Sequence, residues 1–233
     1  VFSKGYLEQE TIQQTEEAFL RFKHVADNYG VQRMRAVATS AAREASNGSL
    51  LIERVMSASG IEIEIISGEE EARLIHLAVV HALNLKNKRT MLIDIGGGSV
   101  EVTISTGQNI ISTESYNMGT VRLLEKLDTK NNSKHPFGKL VREYAEAARY
   151  RIERDIGAEK IQVCAATGGN VEEIGRLRQK LFKGDSDRFV TLDELAELIA
   201  RLDRLSYEER IRKLKLRPDR ADVILPASIV LHM

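Results

Sequence analysis

Met91-Leu92-Ile93-Asp94-Ile95-Gly96-Gly97-Gly98-Ser99-Val100-Glu101-Val102-Thr103-Ile104-Ser105 is the stretch on which the fold turns. An apolar run ends near Asp94, three glycines follow, and then Val100, Val102 and Ile104 alternate with Glu101, Thr103 and Ser105. That pattern predicts strand, tight turn, strand. Consecutive glycines admit positive φ and place no Cβ in the way of a ligand, so successive amides can converge on an anion such as phosphate. Asp94 and Glu101 flank the turn, an arrangement suited to holding Mg²⁺ against a phosphate. A plain hairpin carrying solvated acids fits the same residues.

The 233 residues are 42% hydrophobic and 29% charged, as expected of one large or two modest globular domains. Lys plus Arg and Asp plus Glu each total 34, so charge gives no reason to expect a nucleic-acid or membrane partner. A single cysteine, Cys164, excludes an intramolecular disulfide and lies in the apolar run 161–166, where a buried core thiol is expected. A reducing, cytoplasmic setting fits that usage. No apolar run reaches the roughly 18 residues a membrane helix needs. The sequence opens on Val1 and stops at Met233 inside an apolar run, and so reads as a piece of a longer protein.

Outward from the central hairpin, residues 10–29 carry Ile12, Phe19, Phe22 and Ala26 at helical spacing, closed by Gly30. Residues 34–38 read as a short strand leading to Thr39, Ser40 and Arg43, which suit either a phosphate or the start of the next helix. A helix over 50–59 and a strand over 61–65 complete a βαβ-like unit. Ser67 with Glu70 has capping-box spacing for a helix over 69–83. On that helix Glu71 shares a face with Leu74, Ile75 and Ala78, an expensive place for a carboxylate unless it is used or partnered. His76 and His81 are five residues apart, off a common face, and read as helix surface.

Further on, 109–112 reads as a strand and Met118-Gly119-Thr120 opens a helix through Leu127, with Arg122 directed to a cleft. Asn131 to His135 reads as a polar loop with an Asn131-Asn132-Ser133 sequon, and Pro136 as the start of a long helix to about Asp155. The strand at 161–166 delivers Thr167-Gly168-Gly169-Asn170 to a helix start, a second anion-binding geometry. Thr191 with Glu194 and Ser206 with Glu209 mark two more helices. The charged tract 201–220 reads as solvated helical surface, and 222–233 is apolar.

Four segments stand in order: Ala38-Thr39-Ser40-Ala41-Ala42-Arg43, Ser67-Gly68-Glu69-Glu70-Glu71-Ala72-Arg73, Asp94-Ile95-Gly96-Gly97-Gly98-Ser99 with Glu101, and Ala166-Thr167-Gly168-Gly169. Together with Met118-Gly119-Thr120-Val121-Arg122-Leu123 and Arg220-Ala221-Asp222, they closely resemble the exopolyphosphatase and guanosine pentaphosphate phosphohydrolase family. The resemblance implies an α/β fold of the actin-like, ribonuclease H-like kind. It would comprise a first subdomain over 1–67, incomplete at its N-terminus because the family's first phosphate loop lies upstream, and a second subdomain over 68–233.

Carried onto this sequence, the resemblance makes Glu71 the catalytic base and Asp94 and Glu101 the Mg²⁺ ligands. Gly96, Gly97, Gly98, Ser99, Thr167, Gly168 and Gly169 become phosphate contacts, joined by Ser40 and Arg43. The implied activity is Mg²⁺-dependent release of terminal phosphate from inorganic polyphosphate or guanosine pentaphosphate, with a homodimer as the implied assembly. An ATP-dependent kinase or ATPase of the same fold, and a non-catalytic alarmone-binding regulator, are the alternatives.

Overall fold

The structure, a computed structural model, describes residues 1–127 and 137–233. The expected Asn131-Asn132-Ser133 loop and the Pro136 helix start lie outside the described residues. The chain divides into two compact units, Val1–Glu71 and Ala72–Met233.

In the first unit, α1 (Gln9–Asn28) precedes β1 (Ala36–Ala38), and the chain then crosses through α2 (Ser40–Glu44) and α3 (Gly48–Ser59) to β2 (Ile63–Ile65). The two strands are parallel, with Ala36 opposite Ile63 and Ala38 opposite Ile65, so the helical crossover is obligatory. Helix α3 stops at Gly60, whose φ of 69° is the left-handed conformation glycine adopts without a Cβ penalty. Leu7, Ile12, Ala42, Leu51, Val55 and Ile63 form this unit's core. Helix α4 (Gly68–Ala82) starts where the Ser67 hydroxyl accepts from the Glu70 amide at 3.2 Å. Glu69, Glu70 and Glu71 occupy its first turn, where carboxylates complement the helix dipole.

From Ala72 onward the chain belongs to the second unit, built on β3 (Arg89–Ile95), β4 (Val100–Thr106), β5 (Asn109–Tyr116) and β6 (Val163–Thr167). The sheet order is β5-β4-β3-β6, antiparallel except for the parallel β3–β6 pair. Helices α5 (Thr120–Lys126) and α6 (Phe137–Ile156) lie between β5 and β6 in the chain, and α7 (Gly169–Phe182), α8 (Leu192–Asp203), α9 (Tyr207–Leu214), α10 (Pro218–Ala221) and α11 (Ile224–His232) follow β6. Both late capping boxes form, at Thr191 with Glu194 and at Ser206 with Glu209.

The two faces of this sheet differ in chemistry. Ile95, Val100 and Val102 join Leu123, Ile174, Leu198 and Ile224 in the main core, which explains the apolar half of the β4 alternation. The polar half is buried as well: Glu101, Thr103 and Ser105 on β4 are each no more than 1% exposed. On that face Leu92 packs with Val79, Leu85, Ile75 and Val80, bringing the second-unit part of α4 over the strands. Thr103 and Thr113 share a hydroxyl hydrogen bond of 2.6 Å across β4 and β5. Strand β4 is thus covered on both sides.

Three expectations change. His76 is buried, at 2% exposure, because the face of α4 that carries it lies over the sheet rather than in water. His81, one turn further, is exposed as expected. Cys164 is accessible rather than sealed in the core, since it lines an apolar cavity of about 590 Å³ together with Met91, Ile93, Val102 and Ala166. Protein atoms still crowd the thiol, and burial pushes its pKa up. In the tract 201–220, Arg210 is held inward by the carbonyls of Leu202 and Ala221, at 3.0 and 2.9 Å, whereas most of its neighbours face solvent. Among the described residues no helix is long and apolar enough to cross a membrane.

Burial lowers the His76 pKa below its ordinary value of 6.5, opposed by a hydrogen bond with the Gly107 backbone. The folded protein therefore prefers the neutral ring, and the unfolded chain takes up the extra proton. The stability this contributes is complete above 6.5 and is lost as pH falls through that value toward the lowered folded pKa. His76→Gln is expected to flatten the decline in melting temperature between about pH 7 and about pH 5. An equally steep decline in both proteins, measured by thermal denaturation across that range, removes His76 as its source.

Candidate active site

Antiparallel register sets Asp94 of β3 directly against Glu101 of β4. The two side chains leave the same face of the sheet, with carboxylate oxygens within 4.8 Å of one another. Glu101 is 1% exposed and accepts from the Ser115 hydroxyl of β5 at 2.8 Å. That burial excludes the reading of Glu101 as a solvated hairpin acid. Asp94 stands opposite Thr167 on its other side, through the parallel β3–β6 register, and accepts a hydrogen bond from the Thr167 hydroxyl. Burial raises the Asp94 pKa, and the Thr167 bond works against that rise. Two ionised carboxylates this close repel one another, and a cation between them would relieve the repulsion.

The turn between β3 and β4 contains Gly96, Gly97, Gly98 and Ser99. Its carbonyls are taken up by the start of α5: Thr120 donates to Gly96 at 3.0 Å, Val121 and Arg122 to Gly97 at 2.9 and 3.0 Å, and Gly119 to Gly98 at 3.2 Å. This packing requires a glycine at 119, where a Cβ would fall 2.4 Å from backbone atoms of Gly97 and Gly98. The second glycine turn lies beside the first. Gly168, at φ 112°, approaches so closely that a Cβ would meet the Ile95 carbonyl oxygen at 2.6 Å. Asn170 is 4% exposed and donates to the Thr120 hydroxyl at 3.3 Å, joining the base of one turn to the base of the other. Arg220 rests against Gly169 and donates to the Asn170 side chain at 3.5 Å.

Of the residues expected at the site, Asp94, Gly96, Gly97, Gly98, Ser99, Glu101, Thr167, Gly168 and Gly169 all belong to the second unit and converge at the C-terminal ends of β3 and β6. Ser40 and Arg43 belong to the first unit. There Ser40 is buried at the start of α2, and the Arg43 guanidinium donates to the Ile66 carbonyl at 2.6 Å. Glu71 is the last residue of the first unit, half-buried, with its amide bonded to the Ser67 carbonyl at 3.0 Å in the first turn of α4. Arg122 does not open onto a cleft. It is 4% exposed and donates from Nε to the Gly98 carbonyl at 2.6 Å. Thr120 and Arg220 were given no role from the sequence although each lies within a segment that carries the family resemblance, and Asn170, at the end of the second glycine stretch, was given none either.

The Ppx/GppA phosphatase family model matches residues 1–233. The chain belongs to this family. A bifunctional 3-dehydroquinate synthase/phosphatase of Fusobacterium nucleatum is 26% identical over 243 residues, covering 97% of this chain and 35% of the relative. The chain thus spans about a third of the length of that curated relative. Among solved structures, an exopolyphosphatase of Cytophaga hutchinsonii matches with a TM-score of 0.87 at 22% identity, over 99% of this chain and 76% of its own. The Ppx/GppA family member of Aquifex aeolicus matches with a TM-score of 0.79 at 24% identity, over 98% and 74% respectively. The fold is accordingly the actin-like α/β fold of the family.

Gly168→Ala is expected to destabilise the protein by about 1–3 kcal/mol, because both the backbone conformation and the Ile95 carbonyl oppose a Cβ. Urea denaturation measures this. A midpoint equal to that of the unsubstituted protein contradicts the close approach of the two turns.

Proposed function

We propose that the protein is a phosphoanhydride hydrolase that releases the terminal phosphate of inorganic polyphosphate or guanosine pentaphosphate. The observation that carries this reading is the opposed pair of half-buried Asp94 and buried Glu101 set beside two glycine turns. Two hard carboxylate ligands beside an anion-binding turn are what a phosphate-bound Mg²⁺ needs, since that ion keeps several waters and takes one or two protein carboxylates plus phosphate oxygens. Asp94 and Glu101 would hold it. Once bound, the cation offsets negative charge on the phosphoryl oxygens. In this reading the glycine-turn amides and Thr167 hold the terminal phosphate, and Glu71 orients a water in line with the bridging oxygen and takes its proton. Water oxygen bonds to phosphorus as the bridging P–O bond breaks, and the shortened chain departs with the electron pair. Family membership and the family resemblance of the segment around Glu71 support its role as base.

Phosphate release from polyphosphate and from guanosine pentaphosphate by the full-length protein, measured side by side without ATP, tests the proposal. No release from either substrate overturns it. Glu71→Gln is expected to lower turnover by roughly 10²–10⁴ while leaving substrate affinity nearly unchanged, the signature of a lost general base. Turnover close to that of the unsubstituted enzyme, with only a lowered melting temperature, reduces Glu71 to a helix-start charge.

The raised Asp94 pKa adds a pH dependence. A cation bound at Asp94 must displace the proton that burial favours there, so the Mg²⁺ concentration for half-maximal rate is expected to increase as pH falls toward the Asp94 pKa. Asp94→Asn should raise that concentration and weaken its pH trend, because an amide neither titrates nor matches a carboxylate for a hard cation. Mg²⁺ titrations at several pH values are the check.

A further inference from the structure

We infer that Arg122 is a positioning residue for phosphate, acting through the peptide plane between Gly98 and Ser99. The inference rests on the proposed phosphate-binding role of the glycine turn. In a trans peptide the carbonyl and the following amide point in opposite directions, so fixing one fixes the other. Carbonyls of Gly96, Gly97 and Gly98 all point into the start of α5, which aims the amides of Gly97, Gly98 and Ser99 the opposite way. Among the described residues those three amides take no acceptor, as an anion-binding turn requires.

The three planes are not held alike. Main-chain amides at the start of α5 hold the Gly96 and Gly97 carbonyls at 2.9 to 3.0 Å, whereas the Gly98 carbonyl has a longer main-chain bond of 3.2 Å from Gly119. Its short bond, 2.6 Å, comes from the Arg122 Nε. Arg122 as a whole is 4% exposed, so this charge-assisted bond is shielded from competing water. Main-chain bonds of 2.9 to 3.0 Å secure two planes whatever side chains α5 carries, and the third, with only a longer main-chain bond, draws its short one from the side chain at 122. Arg122 touches neither substrate nor reacting atoms in this scheme. It sets the direction of the Ser99 amide.

The test uses amide NMR of the full-length protein titrated with inorganic phosphate, comparing the unsubstituted protein with Arg122→Gln and Arg122→Met. Phosphate is expected to shift the Gly97, Gly98 and Ser99 amides of the unsubstituted protein. In the variants its affinity should fall roughly tenfold, the worth of one hydrogen bond to a charged group, with the Ser99 response diminished most. KM for the phosphorylated substrate should rise by a similar factor with a smaller change in kcat, and Arg122→Lys should recover part of the loss.

Equal phosphate affinity and an equal Ser99 response in a folded variant overturn the inference. If both variants fail to fold, Arg122 is a fold residue and the positioning role is likewise rejected. If the unsubstituted protein shows no phosphate response at these amides, the phosphate-turn reading itself falls. That outcome is distinct from a response that survives loss of Arg122.

Discussion

The antiparallel register that places Asp94 against Glu101 is the constraint from which the rest of the site follows. A carboxylate buried as deeply as Glu101 costs several kcal/mol unless it is hydrogen-bonded and its charge is met. Here Ser115 bonds Glu101, and Thr167 bonds Asp94. The register also brings these two carboxylates to the strand ends beside the glycine turns, and carboxylates gathered at such a place are characteristic of functional sites.

Construction of that turn divides the work between two elements. Strand ends bring the glycines to the edge of the sheet, and the start of α5 fills the hydrogen-bonding capacity of their carbonyls. The first amides of α5, which in an isolated helix would be without partners, are satisfied by the same contacts. One set of bonds thus caps a helix and orients a loop. The absence of a Cβ at Gly119 permits it, because the two backbones come too close for any side chain.

Much of this was legible from residues alone, and the exceptions share a cause. Alternation over Val100 to Ile104 identified β4 and its apolar face because the period of two is set by backbone geometry. The same alternation cannot say whether the polar face meets water or another element. Glu101 and His76 therefore turned on tertiary packing, since α4 lies over that face. Cys164 follows the same logic in reverse: an apolar run predicts burial, but a cavity opens beside it. Arg122 was legible as a member of a family motif, whereas its bond to Gly98 depends on the approach of α5 to a turn more than 20 residues earlier. The capping boxes at Thr191 and Ser206 were fully readable because everything they need lies within four residues.

Helix α11 has a consequence for how the second unit comes apart. Every residue from Ile224 to Val230 is buried, so this helix has no face suited to water. It packs against α5, α6, α7, α8 and β3, touching nearly every layer of the unit. An element of that kind cannot peel away as a partly folded intermediate without exposing an unbroken apolar cylinder, and its neighbours lose their common support when it leaves. The amides of α11 and those of β3 should therefore exchange with solvent through one shared opening event rather than through separate local ones.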